Sequence, residues 1–154
     1  MRKRVTAAAV FVALATAVPV ALGTPTAAQH IRIGASGANS ETFVLTPTTS
    51  GRIQADSGAL TFCCWSTSHV VRAGESLDVN DPRLTFRGAH GTLRIRNRIE
   101  WVDLPDGWSV FTGTWRAVGG TGAYASLSGS GRVAGVSTAT GFSRVRLFGS
   151  LTAK

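Results

Sequence analysis

Acid, cysteine and helix-forming stretches are all scarce in this chain of 154 residues. Eight Asp and Glu stand against 16 Lys and Arg, which points toward ordinary solubility or toward anionic surroundings such as phosphate-rich envelope polymers or lipid headgroups. The two cysteines are adjacent, Cys63 and Cys64. Neighbouring Cα atoms are about 3.8 Å apart, below the usual disulfide span, and on a strand the two side chains leave opposite faces. An ordinary internal disulfide is therefore disfavoured. One buried thiol with one facing elsewhere, or a link to another molecule, are the readings left open. Beyond residue 22 no stretch is long and apolar enough to cross a bilayer as a helix, and no internal repeat is found.

Residues 1–28 have the layout of a cleavable signal peptide. Arg2, Lys3 and Arg4 precede an uncharged run from Val5 to Leu22, and small residues follow through Ala28. An uncleaved anchor is the alternative, and Pro19 with the small residues behind it favours cleavage. The expectation is a secreted or extracytoplasmic protein with 13 basic residues against eight acids, almost all of the bases Arg. Residues 29–40, rich in Gly, Ala and Ser, read as a flexible arm, and residues 41–154 as one domain.

In that domain the period is two. From Thr92 to Trp101, positions 93, 95, 99 and 101 are apolar and the even positions polar, with Asn97 alone as a polar residue on the apolar side. Leu104-Pro105-Asp106-Gly107 supplies a turn before a second long strand, Trp108 to Val118. Shorter runs at 41–46, 52–56, 59–65, 69–72, 83–87, 131–136 and 142–151 are separated by turn residues. The pattern predicts an all-β fold, a single small antiparallel barrel of about eight strands.

Several residue constellations bear on chemistry. Gly120-Thr121-Gly122-Ala123-Tyr124-Ala125 fits the G-x-G-x-x-A pattern, but a dinucleotide loop needs a helix directly after it and an acid about 20 residues on. Ser126 to Gly131 starts a helix poorly, and the region 139–141 holds no acid. Gly119, Gly120 and Gly122 therefore read as a structural turn. His69 and His90 lack metal-ligand spacing. Asp78 to Pro82 fails as a calcium loop because Arg83 and Ala89 stand where Gly and Glu are required, and no G-x-S-x-G elbow occurs. No metal and no cofactor is expected. Arg94, Arg96 and Arg98 share one strand face and Arg144 with Arg146 repeats the arrangement, a solvated outer face or a basic patch for an anionic envelope component. Exposed aromatics interleaved for base stacking are not evident, so nucleic acid is not expected.

The stretch Val118-Gly119-Gly120-Thr121-Gly122-Ala123-Tyr124, with Gly129 and Gly131 before a strand, resembles the glycine turn of allene oxide cyclases and dirigent proteins. Gly91 to Asn97 is loosely similar to the strand that precedes that turn in dirigent proteins. The resemblance covers about a third of the chain, residues 88–136. It implies an eight-stranded barrel with a largely apolar cavity. It also implies, for the cyclases, a glutamate near the N-terminus with polar partners and a cysteine on an early strand. Glu41 is the only acid in that region here, in sequence surroundings that depart from the family pattern, and Cys63 or Cys64 falls near the cysteine's place. Asp81 to Thr85 faintly echoes the pocket acid and arginine of dirigent proteins.

Two functions follow as expectations. The favoured one is a non-enzymatic exported barrel that holds a hydrophobic small molecule or acts at the envelope. The other is a cyclase, isomerase or coupling guide acting on a lipid-like or phenolic substrate in the barrel cavity. Candidate ligand-binding residues are Asn97, Trp101, Trp115, Tyr124 and Cys63; catalytic residues are not assigned, and an oligomer is open. A buried Asn97 must find a hydrogen bond, from a neighbouring backbone, the favoured option, or in a pocket. Alternation alone also leaves open an inverted barrel with arginines inside.

Overall fold

A computed structural model describes residues 27–38 and 41–153; the signal-peptide assignment falls almost entirely on residues 1–26, outside the described range. Ten strands form: β1 (Gln29–Ala38), β2 (Glu41–Pro47), β3 (Asp56–Cys63), β4 (Thr67–Arg72), β5 (Glu75–Asn80), β6 (Arg83–Gly88), β7 (Gly91–Asp103), β8 (Trp108–Gly120), β9 (Leu127–Thr138) and β10 (Phe142–Ala153). The remaining regular element among the described residues is one 3-10 turn, Gly122–Tyr124. The sheet runs β7-β6-β3-β2-β1-β10-β9-β8, and β8 pairs again with β7, so eight strands close into an antiparallel barrel. The hairpin of β4 and β5 is added to it, with β5 pairing the C-terminal part of β7 beyond the reach of β6.

The inside of the barrel is set by the alternation. Leu93, Ile95, Asn97 and Ile99 of β7 are buried while Arg94 and Arg98 are exposed, so the apolar face points in and the arginine-lined inversion does not occur. Ile33, Leu45, Phe86, Leu93, Trp115, Val133 and Leu147 fill the middle, with Phe43 set edge-on against Phe86 at 5.2 Å between ring centres. Eight strands leave an interior just wide enough for such side chains, or for one small ligand.

Three sequence expectations are corrected. Residues 29–38 are not an arm but β1, paired on both sides, with β2 and β10; Ile31, Ile33 and Ala35 alternate with exposed Arg32, Gly34 and Ser36, a period of two masked by its small residues. Residues 52–55 are not a strand. The Gln29 side chain takes the Ile53 backbone instead, accepting from its N–H at 2.7 Å and donating to its carbonyl at 2.8 Å. Finally, Cys63 and Cys64 do not leave opposite faces. β3 ends at Cys63, and Cys64 has φ of +60°, which breaks the alternation and turns both exposed thiols toward each other.

The end of the barrel at the start of β1, β3, β7 and β9 is closed by the glycine turn. Gly122 has φ of +58°, and a Cβ there would strike the His90 carbonyl; a Cβ on Gly120 would meet the Tyr124 and Thr92 carbonyls. That lets Tyr124 fold inward and donate its hydroxyl hydrogen bond to Asp56 at 2.8 Å. Asp56 also accepts from the amides of Ser57, Ala89 and His90. Burial opposes its charge, but these four donors outweigh it and hold the carboxyl below its ordinary value. A three-residue turn offers no helix N-terminus for a pyrophosphate, and the glycines serve the backbone.

Gly122→Val should lower stability by about 2 kcal/mol or more, from left-handed backbone strain plus the clash at His90. Urea unfolding followed by circular dichroism checks this, and an unchanged midpoint would contradict it.

Candidate functional site

The opposite end holds a cavity of about 160 Å³ lined chiefly by apolar side chains. It lies where β2 and β10 begin and β3, β7 and β9 end. Leu84, Ile99 and Val145 form its floor, and Phe62, Trp65, Trp101 and Phe111 its aromatic wall. Trp101 stacks on Phe111 with ring centres 5.0 Å apart and meets Trp65 edge-on at 5.9 Å. The Trp101 indole is fixed from outside the cavity, donating to Asp103 Oδ1 at 2.8 Å, an oxygen that also accepts from Ser109. These two hydrogen bonds hold the Asp103 carboxyl below its ordinary value.

Polar groups enter this apolar space at inward positions of three strands. Glu41 precedes Phe43 and Leu45 on the inner face of β2, Ser143 precedes Val145 and Leu147 on β10, and Asn97 lies between Ile95 and Ile99 on β7. The Ser143 hydroxyl donates to Glu41 Oε1. Glu41 Oε2 and Asn97 Oδ1 are buried with no hydrogen-bond partner. Burial, only partly offset by Ser143, pushes the Glu41 carboxyl above its ordinary value. Asn97 gives its backbone N–H to Pro82 at 2.9 Å, where the partner of β7 changes from β6 to β5. No backbone group meets its side-chain oxygen, so the pocket, not the backbone, is the surrounding it faces.

Of the five candidate ligand residues, Asn97 and Trp101 meet in this cavity. Tyr124 does not; it belongs to the closed end with Asp56, its phenol pushed up by burial and by that carboxylate. Trp115 is 2% exposed in the barrel's middle, its indole donating to the Phe148 carbonyl at 3.1 Å across Gly131. Its aromatic bulk fits a core as well as a pocket, and here it is core. Cys63 is exposed on the outer surface, one residue beyond the cavity-lining Phe62. Ser143 and Phe62 stand outside the sequence candidates, and Glu41 entered only through the resemblance, not as a ligand-binding residue. A polar residue on the inward parity of an apolar strand was the signal for Glu41 and Ser143, as it was for Asn97.

The arginines stand on the outside. Arg83, Arg96 and Arg116 are direct cross-strand neighbours on β6, β7 and β8, with Arg94 beside them. Arg144 and Arg146 face out on β10, separated from β7 by β8 and β9. Asp81 pairs with Arg98 at 3.4 Å and more loosely with Arg96, and Glu100 with Arg72 at 2.8 Å. Among the described residues no three His, Cys, Asp or Glu side chains gather as metal ligands would. Comparison of the chain with protein-family models, curated proteins and solved structures finds no match.

The raised Glu41 carboxyl has a direct consequence for stability. The unfolded chain releases this proton near pH 4.5, whereas the folded chain keeps it to a higher pH. Between the two values the folded state binds more protons, so stability falls as pH climbs above 4.5. Asp56 acts with the opposite sign in a separate window below 3.8. The melting temperature of Glu41→Gln, followed from pH 4 upward, should hold where that of the parent declines; parallel profiles would contradict the assignment.

Proposed function

We propose that this protein is an exported barrel that holds a one-ring, mainly apolar small molecule carrying a hydroxyl or other hydrogen-bond donor. The observation that carries the reading is the pair of unpartnered oxygens, Glu41 Oε2 and Asn97 Oδ1, lining one aromatic cavity. An amide oxygen only accepts, so its missing partner is a donor. Leaving such a group unmet costs about 1–3 kcal/mol, which a ligand hydroxyl recovers. The size agrees, since a dry cavity of about 150 Å³ is known to take up benzene. The basic leader and uncharged run of residues 1–28 support export as the setting, and the outer arginines suit an anionic envelope nearby.

Glu41 favours a second reading, a cyclase or isomerase. A carboxyl whose hold on its proton is raised by burial, with Ser143 against it, is suited to exchange a proton with a bound substrate. The resemblance of the glycine turn to cyclases and dirigent proteins points the same way. Conversion of a compound held with the protein, abolished in Glu41→Gln, would replace the binding reading with this one.

Titration with phenol and with benzene, followed by tryptophan emission from Trp65 and Trp101, tests the binding reading. Phenol should bind about tenfold more tightly than benzene, and Asn97→Leu should remove that preference while leaving the fold intact. Absence of saturable binding, or equal affinity of the parent protein for both compounds, would overturn it.

A further inference from the structure

The Cys63–Cys64 pair is the one cluster of nucleophilic groups that the cavity leaves unused among the described residues. Cys64 takes a left-handed backbone at φ +60°, a conformation that non-glycine residues rarely adopt. The turn brings both exposed sulfurs together, the Cys64 thiol donating to Cys63 Sγ at 2.7 Å. Arg83 is the direct cross-strand partner of Cys63, and Arg94, Arg96 and Arg116 line the same outer hollow. The hydrogen bond with Cys64 raises the Cys63 thiol, with Arg83 pulling the other way. The net effect on Cys63 is upward, so attack on an electrophile falls to the minor thiolate fraction, and the guanidinium groups of the hollow serve to draw in an anionic disulfide.

We propose that Cys63 and Cys64 form a covalent modification site, a vicinal dithiol that closes to an internal disulfide by exchange with a low-molecular-weight disulfide. The ionised thiol of the pair attacks one sulfur of R–S–S–R, forming a mixed disulfide and expelling RS⁻. The neighbouring thiol gives its proton to solvent and attacks the protein sulfur of that mixed disulfide. The Cys63–Cys64 bond forms, and a second RS⁻ leaves. Two protein thiols are oxidised and one small disulfide is reduced to two thiols. The second step is fast because its nucleophile is already in contact with the first sulfur. The closed ring is easily reopened, because a Cα separation of about 3.8 Å lies below the relaxed disulfide range and strained, exposed disulfides are the labile ones.

Ring closure joins the two touching sulfurs and tightens the Cys63–Cys64 turn, and the residues on either side, Phe62 and Trp65, belong to the cavity wall. Oxidation therefore changes the cavity's grip on its occupant, a consequence that rests on the ligand-binding reading above.

Oxidised glutathione added to the reduced full chain, with intact-mass analysis and non-reducing peptide mapping, tests the covalent step. Cys63 and Cys64 are the only cysteines in the sequence, so the map is unambiguous. The expected product is a monomer lighter by two hydrogens, with the peptide cross-linked within itself and restored by dithiothreitol. Cys63→Ser and Cys64→Ser should each stop at a glutathione adduct. A lasting adduct on the parent chain, a disulfide-linked dimer, or no reaction would overturn the proposal. Phenol affinity should differ about threefold or more between the two redox forms, the scale of one altered aromatic contact; equal affinity would overturn the coupling. Failure of phenol to bind either form would count against the ligand reading alone, since the mass result decides the covalent step.

Discussion

Closure of β7 onto β8 sets what each residue of the barrel can do. An eight-stranded barrel without a free edge fixes which side of each strand is inside, and the inside has room for little more than its own side chains. A large ring such as Trp115 is accommodated because Gly131 and Gly149 leave room for it. A polar group on the inner face is largely cut off from bulk water, so it must be met by the protein, by ordered water or by something the protein holds.

The two ends of the barrel treat that requirement differently. At one end Asp56 is buried but receives four hydrogen bonds, from Tyr124 and three amides. Its charge is stabilised there, and the glycine turn acts as a plug. At the other end Glu41 has a single donor, Ser143, and Asn97 has none for its side-chain oxygen. The same chemistry that gives rigidity at the closed end is left incomplete at the cavity. This contrast within one fold carries the functional reading more firmly than the cavity's size does.

Much of the fold could be read in the sequence because alternation on β7 is nearly unbroken, and the inward place of Asn97 and Trp101 followed from it. Residues 29–38 were harder. Gly34, Ala35, Ser36 and Gly37 lower the contrast between faces, and the partners of β1 are β2 and β10, the latter more than a hundred residues away. The setting of Glu41 was hidden for a related reason: its parity with Phe43 and Leu45 is visible, but nothing local says that β2 begins beside Ser143. Trp115 and Tyr124 looked like pocket residues because an aromatic side chain suits a pocket and a core equally, and only the three-dimensional neighbours separate the two. The meeting of the Cys63 and Cys64 thiols depended on a left-handed residue at the end of β3, which no short-range pattern announces.

A crystal structure of the protein soaked in phenol would test the central claim most directly, that the incomplete hydrogen bonding at the cavity marks a ligand site. The account predicts one ring stacked among Trp65, Trp101 and Phe111, with its hydroxyl in hydrogen-bonding contact with Asn97 Oδ1. Phenol found only on the outer surface, with ordered water satisfying both Asn97 Oδ1 and Glu41 Oε2, would contradict it.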